Sequence, residues 1–429
     1  MLLTYRLSCD TICLSKIHGF YNTVETEETR RLLKFCGKGF APHFCAVGFC
    51  SKRINTGHRL QRGKIMSPIT IVILIFSVLS AIDYVVGNKI GIGREFERAF
   101  SLFGPMALSM LGMIVIAPAI GVWLMPIFDG FYNIFGIDPS IIPASVLAND
   151  MGGAPLAQAI AKNAEIGGYN AFVVSSMMGC VISFTIPFSL GLVKGQQHSE
   201  LFFGLLCGIV TIPVGSFVGG LICKLNPLVL LINLLPLILL SLIVGAALIF
   251  FPKICIKCFR IFGLLMKTLA IIGLVCAVFT FLTKTEISPH FDTLENAALV
   301  CVNACVTLSG ALPIMFIIER ILKKPLNKIS SKIGINSTSA IALLGSLVTN
   351  ASTFGIMDKM DKRGVVLNSA FAVSASFVFG SHLAFTMAYD SGYVLPMIVG
   401  KLISGICAVI LALLIYRDKA ENTERKATI

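Results

Sequence analysis

Apolar residues in this chain occur in long runs rather than at the spacing of an amphipathic helix or strand. Each run is about 20 residues long, which is the length that a helix needs to cross a bilayer. Eleven such segments cover residues 69–87, 100–125, 140–161, 169–193, 199–223, 227–250, 261–283, 295–322, 338–358, 364–388 and 393–416. The pattern predicts an all-α integral membrane protein with many spans.

The polar loops between these segments carry a topological signal. Basic residues cluster in 88–99, 252–260, 319–333, 359–363 and after 416, whereas 126–139 and 389–392 contain no Lys or Arg. Basic loops favour the cytoplasmic side, but the loops on both sides of 338–358 are basic. If 140–161 and 338–358 are re-entrant hairpins, every basic cluster becomes cytoplasmic. We therefore predict about nine transmembrane helices plus two re-entrant hairpins, with residue 66 outside and the C-terminus inside.

The two predicted hairpins belong to an internal repeat. Residues 149–179 align with residues 350–380 at an offset of 201 without a gap, from an Asn to a Gly in each copy. The predicted topology brings the first hairpin in from outside and the second from the cytoplasm, so the repeats are inverted. We place repeat A at about 100–223 and repeat B at about 295–416. Inverted repeats with broken helices are typical of alternating-access carriers.

Composition and charge support the membrane-protein class, and they distinguish the first 65 residues from the rest of the chain. The chain is 56% hydrophobic and 13% charged, against roughly 25% charged in soluble domains. Its net charge of +13 is divided between loops and residues 1–65, which hold 11 Lys/Arg against 4 Asp/Glu; no nucleic-acid partner is predicted. Residues 1–65 lack the apolar region of a signal peptide. We hypothesise that translation starts at Met66, that residues 66–416 form the transporter body, and that 417–429 form a cytoplasmic tail.

Three ionisable residues in apolar segments are candidates for substrate binding, because such residues are costly in a membrane and functional by default. Asp150 lies in the break of the first hairpin, where its carboxylate can pair with a cation or cap a helix. Asp83 lies near the end of the first segment, where it can also face the interface or pair with Lys89. His382 lies within an apolar segment, where a neutral His bonded to a carbonyl is the ordinary alternative. Uncharged candidates at or near the breaks are Asn149, Gly152, Gly153, Thr349, Asn350 and Ser376.

Catalytic motifs are not evident. The sequence has no phosphate-binding lysine loop, no nucleophile elbow and no acid–base pair outside the apolar segments. We therefore expect neither an enzyme nor an ATP-driven pump, and no cofactor or bound metal.

Several stretches together resemble the EutH family of bacterial ethanolamine permeases. The resemblance covers about residues 66–416 and is carried by Ala81–Asp83, Gly93–Glu97, Ala148–Gly153, Gly208–Gly215, Met360–Gly364, Asn368–Ala375 and Pro396–Leu402. It implies uptake of ethanolamine across the bacterial cytoplasmic (inner) membrane for ethanolamine utilisation, with Asp150 neutralising the ammonium group. The chain departs from the family pattern at Ser381, where the family has Asp, and at Ala384, where it has Gly.

Three hypotheses follow for the function. The first is an ethanolamine permease, facilitative or coupled to Na⁺ or H⁺. The second is a sodium-coupled carrier of another small amine or amino acid, which the same broken-helix design serves. The third is a membrane scaffold that does not transport. Membrane lipid is a necessary partner of all three, and a homo-oligomer is compatible with each.

Overall fold

A computed structural model describes residues 67–416 of the chain. All regular structure in this range is helical and the range contains no β-strand, which confirms the predicted all-α class. The predicted extension 1–65, its proposed start at Met66 and the tail 417–429 lie outside the described residues.

The first half of the described chain contains eight helices. They are α1 (Pro68–Val85), α2 (Ile92–Ser101), α3 (Phe103–Phe135), α4 (Ile141–Val146), α5 (Gly153–Ile160), α6 (Ala164–Tyr169), α7 (Ile186–Leu192) and α8 (His198–Ile222). Wider π-helical turns over Asn170–Gly179 and Val181–Thr185 join α6 to α7. Such turns are rare in proteins as a whole, and many of those that occur lie at functional sites.

The second half contains eight more helices. They are α9 (Pro227–Phe250), α10 (Pro252–Thr283), α11 (Leu294–Ile333), α12 (Ser337–Val348), α13 (Asn350–Phe354), α14 (Lys362–Ala375), α15 (Ser381–Tyr389) and α16 (Val394–Ile415). Single 3₁₀ turns occur at Asn149–Met151, Gly195–Gln197, Met357–Lys359 and Ser391–Tyr393.

Eight helical stretches are long and apolar enough to cross a membrane. They are Pro68–Val85, Ile92–Phe135, Ala164–Leu192, Gly195–Ile222, Pro227–Phe250, Pro252–Thr283, Leu294–Leu326 and Ser391–Ile415. Each contains one of the predicted apolar segments or most of it. The chain is thus a multi-pass membrane protein, in agreement with the predicted class.

The predicted span 364–388 differs from the other eight, because the structure divides it. Helix α14 ends at Ala375 and α15 begins at Ser381. Between them, the N–H groups of Phe377 and Phe379 donate to the carbonyls of Ser346 and Leu347 at the end of α12. The chain can leave the helix here because α12 supplies partners for its backbone groups, which is the condition for irregular backbone at membrane depth.

Both predicted hairpin segments end beside the residues at which they begin. Asp138, just before α4, accepts hydrogen bonds from the backbone N–H groups of Lys162 and Asn163, 3.0 and 2.9 Å away. In the second segment the N–H of Asn336 donates to Asp361 at 2.9 Å. Each segment therefore returns to its starting point, as a re-entrant hairpin must. Their position in a bilayer stays a prediction.

The loops at one end of the molecule are tied together by an ion pair. Lys194 donates to the carboxylate of Asp358 at 3.0 Å, and this hydrogen bond lowers the pKa of Asp358. Nearby, the side chain of Gln197 donates to the carbonyl of Met357 at 2.8 Å. The loop after α7 and the end of the second hairpin segment thus lie together, as expected if both are cytoplasmic.

Helices α8, α14 and α16 pack against one another in the interior. Gly215 of α8 faces Gly400 of α16 so closely that a Cβ on either residue would overlap the other's carbonyl oxygen. Small residues allow this approach, which van der Waals packing favours between helices in membranes. Lys401, the residue after Gly400, is buried beside this contact.

Candidate functional site

The first break lies between α4 and α5 and presents Asp150. The carbonyl of Ala148 accepts hydrogen bonds from the N–H groups of Met151 and Gly153, at 3.0 and 2.9 Å, which folds the chain into a tight turn. Gly152 has a φ of 95°, a conformation that glycine adopts without steric cost. At Gly153 a Cβ would overlap surrounding backbone and side-chain atoms. Gly152 thus has a conformational role in this break and Gly153 a packing role, and their part in substrate binding stays a prediction.

Asp150 borders a cavity of about 220 Å³. Its side chain is 13% exposed, and the Ser381 hydroxyl lies within hydrogen-bonding reach of the carboxylate. Most of the wall is apolar, and its largest apolar side chains are Met106, Met110, Met151, Phe184 and Phe377. A carboxylate that is largely shielded from bulk water attracts a cation more strongly than a fully solvated one.

His382 connects Asp150 to Lys401, which lies deeper in the protein. The Nε2 atom of His382 is 3.8 Å from Asp150 Oδ1, and its Nδ1 atom is 3.1 Å from Lys401 Nζ. Lys401 also donates to the carbonyl of Ser176, and its side chain is fully buried. When Lys401 is protonated its ammonium group can only donate, so in that state Nδ1 accepts and the hydrogen is on Nε2, which faces Asp150.

Lys401 was not predicted as a site residue, although the sequence contains a signal for it. It lies between Gly400 and Leu402 in an otherwise apolar run, and an ionisable side chain in such a run is functional by default. Its contact with His382 could not be read from the sequence, because the two residues belong to different helices.

A further interruption, between α14 and α15, contains Ser376 and Phe377. Ser376 is fully buried and its hydroxyl has no hydrogen-bond partner among the described residues. Phe377 has a φ of 60°, which is costly for a residue with a side chain and is concentrated at functional sites. Its ring centroid lies 5.1 Å from that of His382. The structure thus brings this break to the Asp150 cavity.

The two predicted repeats contain equivalent hydrogen bonds to each other. Asn149 donates to the hydroxyl of Thr386 at 3.3 Å, and Asn350 donates to the hydroxyl of Thr185 at 3.1 Å. Asn350 and Thr386 follow Asn149 and Thr185 by the same 201 residues. Each break is therefore held to a residue that the predicted register places in the opposite repeat; the repeat itself stays a prediction. Both asparagines are fully buried, and the Oδ1 atoms have no partner among the described residues.

Thr349 and Asp83 lie outside the Asp150 cavity. Thr349 caps α13 by accepting from the N–H of Ala351 at 3.3 Å, and it borders a different cavity beside Glu319. Asp83 is buried and accepts hydrogen bonds from the N–H groups of Ile90, Gly91 and Gly93 at 2.9–3.0 Å. These three bonds give Asp83 a structural role, in which it holds the loop between α1 and α2.

Known proteins resemble this chain over nearly the whole described range. The protein family described as "Ethanolamine utilisation protein, EutH" matches residues 65–415. A protein of Listeria monocytogenes named "Probable ethanolamine permease EutH" is 38% identical over 353 residues, which are 82% of this chain and 95% of that protein. Proteins of the same name from Salmonella typhimurium and Escherichia coli are 35% and 34% identical, over 79% of this chain and 89% of theirs. No solved structure matches.

Proposed function

The chain belongs to the EutH family of ethanolamine utilisation proteins, and we propose that this multi-pass bacterial membrane protein carries ethanolamine across the cytoplasmic membrane. The relatives named as ethanolamine permeases support transport rather than catalysis as its role. Ethanolamine is a cation at neutral pH, because its amine is protonated, and a cation crosses lipid poorly without a carrier.

The observation that carries this proposal is the carboxylate of Asp150 at the border of a small, mostly apolar cavity. A carboxylate offers the ammonium group both a counter-charge and hydrogen-bond acceptors. The Ser381 hydroxyl beside it can bond the substrate hydroxyl or a second ammonium hydrogen. The neutral hydroxyl of Ser381 thus occupies, beside Asp150, the position at which the family pattern has an Asp.

The aromatic wall of the cavity adds to cation binding. The rings of Phe184 and Phe377 are in edge contact, with centroids 5.5 Å apart, and both border the cavity. The face of an aromatic ring attracts an ammonium group by about 0.5–2 kcal/mol, most strongly where water is excluded. The apolar side chains beside the rings suit the two methylene groups of ethanolamine.

The transport cycle that we propose is alternating access about the two breaks. The inverted repeats A (100–223) and B (295–416) each contribute one re-entrant hairpin, and the breaks meet the opposite repeat through the Asn149–Thr386 and Asn350–Thr185 hydrogen bonds. These bonds would break and re-form as one repeat rocks against the other, and this motion would open the cavity to one side of the membrane at a time. The proposal includes both a facilitative and an ion-coupled mode.

A sodium-coupled carrier of another small amine is the second candidate. It is favoured by the carbonyl oxygens of Asn149 and Asn350, which are buried and have no hydrogen donor among the described residues. Backbone carbonyl oxygens are ligands of sodium at the broken helices of transporters, and an asparagine side chain offers a carbonyl oxygen of the same kind. Dependence of the flux on sodium separates this candidate from the first.

Uptake of labelled ethanolamine into proteoliposomes tests the proposal. We expect saturable uptake that Asp150→Asn abolishes, because the amide removes the counter-charge but keeps the shape. The matched control is Asp129→Asn, which changes a half-exposed carboxylate that pairs with Lys162 outside the cavity. Full uptake by Asp150→Asn would remove Asp150 from the site. Absence of any saturable ethanolamine flux in the unaltered protein would favour a scaffold, or a carrier of another amine.

A further inference from the structure

We propose that Lys401 is a tethered cation that exchanges for the substrate ammonium. When ethanolammonium binds at Asp150, Lys401 gives up one proton through His382, and it regains a proton when the substrate leaves. One proton therefore crosses the membrane in the opposite direction for each substrate cation. This inference rests on the proposed function and specifies its driving force.

The contacts of Lys401 form a short path to the substrate cavity. Its Nζ atom donates to Ser176 O and lies 3.1 Å from Nδ1 of His382. The other ring nitrogen of His382 faces Asp150, 3.8 Å away, and both His382 and Asp150 border the cavity. The titratable side chains that act on Lys401 are Asp150 and His382, together with Cys180 from the α6–α7 span.

The charge balance of this cluster couples the two cations. A protonated Lys401, a neutral His382 and an ionised Asp150 sum to zero charge. Addition of ethanolammonium would leave one positive charge uncompensated among buried groups, which is costly at membrane depth. Loss of the Lys401 proton restores neutrality, so the cluster holds either the lysine proton or the substrate cation. Lys401 stays buried in both states, and its attachment to α16 keeps it within the cluster.

The proton has a continuous route along named atoms. Lys401 Nζ–H passes its proton to His382 Nδ1, and the hydrogen on Nε2 leaves to water in the cavity. His382 is then neutral in its other tautomer, with Nδ1 protonated and facing the lysine nitrogen. Uptake of a proton at Nε2 and its transfer back from Nδ1 to Nζ reverse each step. Every proton that leaves Lys401 is thus accounted for, and His382 is unchanged in charge at the end.

This coupling makes transport electroneutral, which proteoliposomes can measure. With labelled ethanolamine outside, an acidic interior should drive accumulation of about tenfold per pH unit, because one-for-one exchange equates the two concentration ratios. A potassium diffusion potential set with valinomycin should have no effect. Protein-free liposomes correct for passage of the neutral base through lipid.

Two substitutions distinguish this exchange from transport of neutral ethanolamine, which would respond to pH in the same way. Lys401→Gln leaves Asp150 without its tethered cation, so remaining uptake should follow an inside-negative potential and ignore the pH gradient. Lys401→Arg keeps a charge that cannot be released, so uptake should fall by tenfold or more while the protein elutes as folded. Lys194→Gln, an exposed lysine on a cytoplasmic loop, is the matched control.

The outcomes separate the inference from the proposed function. No saturable ethanolamine uptake by the unaltered protein rejects the proposed function itself. Saturable uptake that follows the membrane potential in the unaltered protein overturns the tethered-cation exchange alone. Normal uptake by Lys401→Arg also overturns it, because an arginine cannot release the proton. The Arg variant remains decisive if Lys401→Gln fails to fold.

Discussion

Replacement of Asp138 by alanine should destabilise the first hairpin segment. The effect should exceed that of any substitution of a surface residue in the loop before the segment. Asp138 is 3% exposed and accepts hydrogen bonds from the backbone N–H groups of Ser140, Lys162 and Asn163, at 3.0, 3.0 and 2.9 Å. Two of these donors belong to the end of the segment, so one carboxylate joins its end to its beginning. Alanine would leave all three N–H groups without this acceptor.

The expected loss can be worked out from these bonds. A donor that loses its partner costs about 1–3 kcal/mol, and the lower value applies here because the loop borders water. Three donors then amount to about 3 kcal/mol. For a chain of this size that corresponds to a fall of roughly 5 °C in the apparent Tm. Asp129→Ala removes a carboxylate near the end of α3 that pairs with Lys162 and is 45% exposed, so it should cost about 1 kcal/mol or less.

The assay is the fraction of detergent-solubilised protein that still elutes as a single peak after heating at a fixed rate. We expect Asp138→Ala to lose this peak about 5 °C below the unaltered protein, and Asp129→Ala to stay within about 1 °C of it. Ethanolamine uptake by Asp138→Ala should fall as well, because Asp150 lies within the segment that is released. Equal melting of the two variants would refute the reasoning that Asp138 holds the ends of the segment together.

Three further predictions address topology, the repeat and the start of translation. Cysteines that replace Ser337 and Lys359 in a cysteine-free background should both label from the cytoplasm if the second segment is re-entrant. As a control, a cysteine at Thr285 should label from outside. Labelling of Ser337 and Lys359 from opposite sides would establish a full span. Thr386→Val removes the hydroxyl that the first-break asparagine bonds and should cost about 1 kcal/mol of stability, which Thr386→Ser should restore; an unchanged valine variant would argue against this tie between the repeats. Intact mass of the protein expressed from its own gene should correspond to a start at Met66, and a mass that includes residue 1 contradicts that hypothesis.

Much of the fold follows from local properties of the sequence. A run of about 20 apolar residues can satisfy its backbone in a bilayer only as a helix, so the eight long spans could be read from run length alone. The breaks at Asn149 and Asn350 were also visible, because glycine and polar residues interrupt the apolar pattern there. The interruption of 364–388 was not visible, because Ser376–Gly380 is no more polar than many continuous helices. It depends on carbonyls of α12, which are distant in the chain.

The candidate site shows the same division. Asp150 and His382 could be proposed individually, because an ionisable residue in an apolar segment is energetically costly and is therefore functional by default. Their proximity, the position of Lys401 beside them, and the separation of Asp83 from the cavity are results of helix packing. The multi-pass body was thus determined by the order of the apolar runs, whereas its division into two repeats over residues 100–416 stays a prediction. Which of its buried charges act together was decided only by the tertiary structure, because charges separated by hundreds of residues interact only where packing brings them within a few ångströms.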